Sequence, residues 1–205
     1  MPDHARPLHE HSVDADPFAQ FALWYEEAAA VVRLPEAMAV ATAGSDGRPS
    51  VRMVLLKGWD RRGFVFYTSY RGRKGRELAQ NPVAALMFHW DPLGRQVRVE
   101  GPVERLPAAE SDAYFASRPR GAQVSALASE QSRPIESREL LEARVEARSA
   151  ELGQGPVPRP AWWGGFRVRP GVFEFWQHRD DRLHDRLVYV PDGGTDRWRI
   201  VRLQP

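Results

Sequence analysis

Cysteine is missing altogether from the 205 residues. Disulfides, thiolate-bound zinc and a cysteine nucleophile are therefore excluded. No run of about 18 apolar residues occurs, so no membrane-spanning helix is expected. The opening MPDHARPLHEHSVDADP lacks the basic-then-apolar order of a secretory signal, which makes a cytoplasmic protein the default expectation. An excess of either charge is also lacking: 29 basic and 27 acidic side chains leave a net charge of +2. A nucleic-acid binder concentrates its cations in one block or face, whereas these arginines are spread, many beside acids, so no nucleic-acid partner is expected. Neither the Gly-rich pattern of a P-loop nor that of a dinucleotide-binding turn is found.

What the chain does have is aromatic residues, seven tryptophans and nine phenylalanines, gathered beside strand-like segments. Residues 1–16 are polar, carry His4, His9 and His11, and show no periodic apolar face, which predicts a mobile tail. From Pro17 to about Arg33, Phe18, Phe21, Ala22, Trp24, Tyr25 and Ala28 recur at helical spacing. Residues 37–42 read as a buried strand and 44–49 as a turn. The stretch from Ser50 to Arg76 looks like the organising one. An apolar strand with Arg52 near its start and Lys57 at its end turns at Asp60–Gly63 into a second strand, Phe64–Thr68, as a central hairpin. A short helix over 73–80 follows. Residues 83–90 and 96–101 read as strands, 107–117 and 137–152 as helices, with Leu140, Leu141, Val145 and Leu152 facing inward. The last quarter returns to strands at 166–168, 172–176, 183–190 and 198–203. About seven short strands with few intervening helices predict a mainly β, α+β fold, a closed antiparallel barrel with helices outside, in a single domain over 17–205.

Several groups stand out chemically. Arg73 and Lys74 open the predicted helix 73–80, where free N–H groups and the positive dipole end favour an anion. Alone they would read as a solvated basic turn; with Arg52, Lys57 and Thr68 nearby, a phosphate site is the better reading. Arg52 and Lys57 are five apart and would face opposite sides of an ideal pleat. A bulge, a twisted strand end, or service to different parts of the ligand would each reconcile them. Tyr114 and Arg118, at i and i+4, share a helix face and could grip one ligand, although from spacing alone a half-buried tyrosine beside a solvated arginine is the favoured reading. In a strand, Arg182, His184 and Arg186 would point one way and Leu183, Asp185 and Leu187 the other. Trp176 and Gln177 close by favour a pocket with an aromatic wall over an exposed salt-bridged face. Gln131 and Ser132 offer amide and hydroxyl groups in an irregular segment.

Taken in order, Arg52-Met53-Val54-Leu55-Leu56-Lys57, Phe66-Tyr67-Thr68, Arg73-Lys74-Gly75-Arg76, Arg95-Gln96-Val97, Tyr114 to Arg120, Gln131-Ser132, Trp163 to Val168, Phe175-Trp176-Gln177 and Arg182 to Arg186 resemble the pyridoxine/pyridoxamine 5′-phosphate oxidase family. The resemblance runs from Asp16 to Pro205. It implies an FMN-binding split β-barrel, antiparallel and Greek-key-like with flanking helices, in a homodimer with FMN at the subunit interface. It assigns FMN contacts to Arg52, Met53, Val54, Leu55, Leu56 and Lys57, and to Tyr67, Thr68, Arg73, Lys74, Gln96, Gln131, Ser132, Trp176 and Arg186. It assigns the substrate to Lys57, Tyr114, Arg118, Arg182, Leu183 and His184, with Tyr114 and Arg118 on the substrate phosphate and Arg182 and His184 over the pyridine ring as the catalytic pair.

The implied reaction moves a hydride from C4′ of pyridoxine or pyridoxamine 5′-phosphate to N5 of FMN, the flavin then being reoxidised by dioxygen with release of hydrogen peroxide. The product is pyridoxal 5′-phosphate. Arg182 and His184 are expected to orient the substrate rather than act as an obligatory base. This chain departs from the family pattern in three places. Ala122 stands where a serine usually adds a hydroxyl to the substrate phosphate, a loss of about 1.5–3 kcal/mol of binding. Gly72 stands where a serine usually precedes the arginine-lysine pair. The N-terminal arginine-and-tyrosine segment of some members is missing. The alternatives are a phenazine-type FMN oxidase of the same fold and a non-catalytic protein that binds FMN or pyridoxal phosphate.

Overall fold

The computed structural model describes residues 7–193 and 197–205; His4 lies outside them. Asp16 accepts the Phe18 N–H at 3.1 Å and Pro17 occupies the first turn, where no N–H is needed, so helix α1 (Pro17–Val31) starts there. It buries Phe21, Trp24 and Ala28. Phe21 meets Phe64 edge-on at 4.8 Å, and Trp24 meets Phe175 at 5.2 Å. Strands β1 (Ala37–Ala43) and β2 (Pro49–Leu55) come next, then β3 (Gly58–Asp60) and β4 (Gly63–Ser69). Helix α2 (Arg73–Gln80) leads into β5 (Val83–Trp90) and β6 (Arg95–Arg105). Helices α3 (Ala108–Ser117), α4 (Arg120–Ala128) and α5 (Arg138–Leu152) precede β7 (Trp163–Val168), β8 (Val172–Gln177), β9 (Asp185–Pro191) and β10 (Trp198–Leu203).

The described strands form one antiparallel sheet in the order β10-β9-β8-β6-β5-β1-β2. Long β6 leaves this path at its far end, where Val103–Arg105 pair with β7; β7 pairs with β4, and β4 with β3. The sheet curls into a half-barrel flanked by five helices among the described residues. Inward residues alternate as the pleat demands: Met38 and Val40 on β1, Leu86, Phe88 and Trp90 on β5, Val97 and Val99 on β6, all essentially inaccessible. The opposite face of β2, β1 and β5 stays apolar and open. Met53, Ala39 and Met87 lie side by side across it, next to Val51 and Leu55.

Several expectations change. The central hairpin does not form between 50–57 and 64–68. β2 pairs with β1 along its whole length, and the Asp60–Gly63 turn joins β4 to three-residue β3. Hydrophobic alternation fixes which face a strand buries, not which neighbour it takes. Gly63 at the turn has φ +132°, and a Cβ there would lie 2.1 Å from the Val168 carbonyl oxygen. Gly63→Ala is therefore expected to destabilise the fold by at least about 1–3 kcal/mol from backbone strain, read by denaturant unfolding.

Residues 120–128, given no element in the sequence, form α4. Arg182, Leu183 and His184 do not extend β9: residues 180–182 make a single 3-10 turn, and Arg182 has φ +63°. Nor do residues 7–16 lie apart from the fold. Leu8 is buried, its N–H donates to Asp185 at 3.0 Å, Arg202 bonds the Leu8 carbonyl at 2.6 Å, and the Tyr189 hydroxyl donates to the Asp14 carbonyl at 2.7 Å. Leu8 and Val13, two apolar residues among polar ones, gave no periodic signal, yet with these bonds they dock the segment on the fold. The inward residues of α5 are half-buried rather than buried.

Candidate functional site

Lys57 lies two residues past the end of β2, so the pleat does not govern its direction; its N–H bonds the Val65 carbonyl of β4 at 2.8 Å. That junction is the floor of a cleft of about 300 Å³ lined by Met53, Val54, Leu55, Lys57, Tyr67, Thr68, Lys74, Tyr114, Arg118, Gln131 and Trp163. Leu56 turns away into the core. Arg52, on β2, is not on the cleft wall; it reaches Glu77 of α2 at 3.4 Å.

Along one wall the aromatic rings stack in parallel. Tyr67 lies on Tyr114 at 3.8 Å and 15°, and on Trp163 at 5.6 Å and 13°. Burial raises the pKa of both tyrosines, keeping their hydroxyls protonated. Arg118 leaves α3 at its C-cap and packs over Trp163 at 4.7 Å, and it lines the same cleft as Tyr114. Its Nη1 is buried without a hydrogen-bond partner. Burial also lowers its pKa, as desolvating a cation must. A buried guanidinium nitrogen with no acceptor, opening on a cleft, is a place prepared for an anion.

On the other side, α2 presents its N-terminus. Lys74 is buried, and its ammonium donates to the Thr68 hydroxyl at 3.0 Å and the Gln131 amide oxygen at 3.2 Å. Burial first, and the Arg52 charge second, pull its pKa down to about 8, with Glu77 opposing. The Arg73 N–H donates to the Ser132 hydroxyl at 3.1 Å, and Ser132 adopts φ +68° to supply it. Gly72 caps α2 without a side chain. A Cβ at Gly72 would lie 2.4 Å from Gln131 Oε1, so the glycine leaves the room that Gln131 occupies. Ala122 is half-buried in the first turn of α4 and brings no hydroxyl.

The remaining candidates form a second group on β6, β8 and β9. Gln96 is the register partner of Trp176, and Trp176 of Arg186. His184 packs on Trp176 at 4.6 Å, and its Nδ1 accepts the Arg179 N–H at 3.1 Å. Partial burial, then His178 and Arg182, hold its pKa below the ordinary imidazole value. Arg186 bonds Glu174 at 2.7 Å, and the same carboxylate holds Arg98. Leu183 is exposed. Among the described residues no hydrogen bond, ion pair or ring contact joins this group to the cleft.

Sequence reasoning missed three residues here. Glu174 fixes Arg186. His178 packs 5.2 Å from His184. Glu77 bonds Arg73, and their i,i+4 spacing was the one signal available for it. A larger groove of about 840 Å³ adjoins the cleft between α2, α4 and α5 and shares Gln131 with it. It lacks the aromatic stack and the orphaned cation.

Residues 25–150 match the family model for pyridoxamine 5′-phosphate oxidase, and residues 163–205 match that for the pyridoxine 5′-phosphate oxidase C-terminal dimerisation region. The chain belongs to this family. A pyridoxine/pyridoxamine 5′-phosphate oxidase of Gluconobacter oxydans (strain 621H) is 58% identical over 192 residues, covering 93% of this chain and 95% of the relative. PhzG from Burkholderia lata 383, solved in complex with tetrahydrophenazine-1-carboxylic acid, is 35% identical with a TM-score of 0.88, over 97% of this chain and 98% of that one. An FMN-binding protein of Nostoc punctiforme PCC 73102, related to pyridoxamine 5′-phosphate oxidase, shares the fold at 15% identity and a TM-score of 0.75, over 94% of this chain and 100% of that one. The half-barrel is thus the split barrel of this family. Among the described residues no helix is long and apolar enough to cross a membrane.

Proposed function

We propose that the protein oxidises pyridoxine and pyridoxamine 5′-phosphate to pyridoxal 5′-phosphate, with FMN as cofactor and dioxygen as final acceptor, releasing hydrogen peroxide. The observation that carries this reading is the cleft itself, lined by a half-buried Arg118 whose buried Nη1 has no partner, a buried Lys74 at a helix N-terminus, and stacked aromatic rings. The site suits two phosphates and flat ring systems. When bound, FMN supplies the two-electron acceptor that no side chain of this chain can be.

In this reading Lys74, Arg73, Thr68, Gln131 and Ser132 hold the cofactor phosphate, with Arg52 behind them. Met53, Val54 and Leu55 line the place of the flat ring. Lys57, Tyr114 and Arg118 take the substrate phosphate, the last through its free Nη1. Arg182 and His184 orient the pyridine ring. Because Nδ1 of His184 accepts a backbone N–H, the neutral ring carries its proton on Nε2 and can donate there. A donor fits an orienting role better than that of a base.

Two features support a homodimer that completes the site. The second group, with Gln96, Trp176 and Arg186, has no contact with the cleft of its own chain. The apolar face over β2, β1 and β5 borders that cleft at Met53 and Leu55 and is exposed in the single chain. In the assembled dimer, each cleft would receive the second group from the other copy.

A second reading, oxidation of a reduced phenazine carboxylate, is favoured by the likeness to PhzG and by Ala122. A carboxylate would also satisfy Arg118. We rank it second because the identity to the phosphate oxidases is higher, which supports the first reading. An anaerobic visible spectrum separates the readings. Bound-flavin absorption should bleach on addition of pyridoxine 5′-phosphate. Bleaching only with a dihydrophenazine carboxylate would establish the second reading, and a colourless protein that takes up no FMN would overturn both.

A further inference from the structure

Around the start of α2, three cations converge: Arg52, Arg73 and the buried Lys74. One carboxylate answers them. Glu77 sits one turn into α2 with its side chain only 11% exposed. Its Oε1 accepts from Arg73 Nε at 2.8 Å. Its Oε2 accepts from the Thr42 hydroxyl at 2.5 Å and the Ser50 hydroxyl at 2.6 Å, and lies 3.4 Å from Arg52 Nη2. Thr42 and Ser50 are register partners on β1 and β2, and Arg52 is two residues from Ser50, hence on the same face. Arg52 itself bonds the Thr42 hydroxyl at 2.5 Å. Among the described residues neither arginine has another carboxylate.

A carboxylate beside a phosphate site is at first sight a liability, since like charges repel. Two features argue that it is retained for another reason. The hydroxyls of Thr42 and Ser50 fix the carboxylate from the strand side, so it does not swing into the place of the ligand. It takes Arg73 through Nε alone, which leaves both terminal nitrogens of that guanidinium directed elsewhere. Burial would raise the pKa of Glu77; the bonds from Ser50, Thr42 and Arg73 and the charge of Arg52 outweigh this and hold it at about 2, so it stays charged. Fixing two long cationic side chains before the ligand arrives removes an entropic cost from binding.

We propose that Glu77 is a positioning residue of the cofactor-phosphate site, its carboxylate setting the guanidiniums of Arg52 and Arg73 in place for the phosphate of FMN. The proposal rests on the FMN reading above. Its test compares two flavins that differ only in the phosphate. Full-length apoprotein, wild type, Glu77→Ala and Glu77→Gln, is titrated with FMN and with riboflavin, following quenching of flavin fluorescence.

Glu77→Ala should lose at least about tenfold in FMN affinity, with riboflavin affinity unchanged within about twofold. Glu77→Gln, which keeps the shape and one acceptor oxygen, should fall between. If the alanine variant does not fold, an FMN loss of about threefold or more in the glutamine variant, with riboflavin unmoved, supports the positioning role equally. FMN and riboflavin weakening together would overturn the proposal, since Glu77 would then only brace α2 against the sheet. So would unchanged or tighter FMN binding, which would mark the carboxylate as idle or as a competitor of the phosphate. A wild type that binds no FMN would instead bring down the cofactor reading itself.

Discussion

Arg118→Ala is expected to lower kcat/KM for pyridoxine 5′-phosphate by about 30-fold or more, with the loss in KM and the flavin content unchanged. The side chain lies over Trp163 and near Phe115, with no carboxylate partner among the described residues and with Nη1 buried and unpartnered. An incoming phosphate would be its only full counter-charge. Removing one partner of a buried, hydrogen-bonded charge pair costs about 2–5 kcal/mol, that is, about 30- to several-thousand-fold. The phosphate is remote from the reacting carbon, so its contacts act alike on ground and transition state, which moves KM rather than kcat. In the free protein the sign reverses. A half-buried cation with a buried nitrogen that lacks a partner is a cost, so thermal unfolding of the ligand-free variant should occur at the same temperature or higher. Arg118→Lys should fall between, because lysine keeps the charge but not the flat stack on Trp163. An unaltered KM for Arg118→Ala would remove this residue from the substrate site.

Lys74→Met should weaken FMN binding by about 2–3 kcal/mol, about 30- to 150-fold, through loss of a charged hydrogen-bond donor in a buried place. Methionine keeps the length and the apolar stem. The same lysine predicts a pH dependence. In the free protein its pKa is held down to about 8, by burial first and then Arg52. A bound phosphate favours the charged form and raises that pKa. Above pH 8 the complex then holds more protons than the free protein, so FMN affinity should fall as pH rises, by up to about tenfold per unit. Lys74→Met should be flat over that range. Stability of the free protein runs the other way. The folded pKa lies below the unfolded value of 10.5, so the penalty is fully present below pH 8 and is relieved as pH climbs from 8 towards that value. Fluorescence titration with FMN between pH 7 and 10, and thermal melts of the apoprotein over the same range, check both signs. A pH-independent wild-type affinity would mean that Lys74 does not carry the phosphate.

Both residues could be picked from the sequence, for different reasons. Lys74 stood at the start of a helix whose limits, 73–80, were readable from a short amphipathic run between Gly72 and Asn81-Pro82. The i,i+4 spacing of Tyr114 and Arg118 put them on one face but by itself favoured a solvated arginine. Trp163, a distant residue packed beneath Arg118, decides between them. The strand over 83–90 and its inward Leu86, Phe88 and Trp90 were equally plain, because alternation is a property of consecutive residues.

Failures came where the outcome depends on what a segment meets. Residues 182–186 alternate like a strand, yet Arg182 and His184 lie in a loop closed by a 3-10 turn, and pairing begins only at Asp185. β2 and β4 looked like partners because one turn separates them; β1 took β2 instead, across a turn equally good. Leu8 and Val13 gave no periodicity and still dock residues 7–16 on the fold.

By itself, then, the amino-acid sequence determined the local elements, the absence of thiol chemistry, and the supply of cations, hydroxyls and aromatic rings. Only the tertiary structure decided which of them meet. It stacked Tyr67, Tyr114 and Trp163 from three elements into one wall. It buried Nη1 of Arg118 without an acceptor, and it brought Thr42, Ser50 and Arg52 around Glu77. It also kept the group around Trp176 and Arg186 apart from the cleft within one chain. The reason is physical: propensity and periodicity act over a few residues, whereas charge, desolvation and packing act between groups that the folded sheet alone makes neighbours.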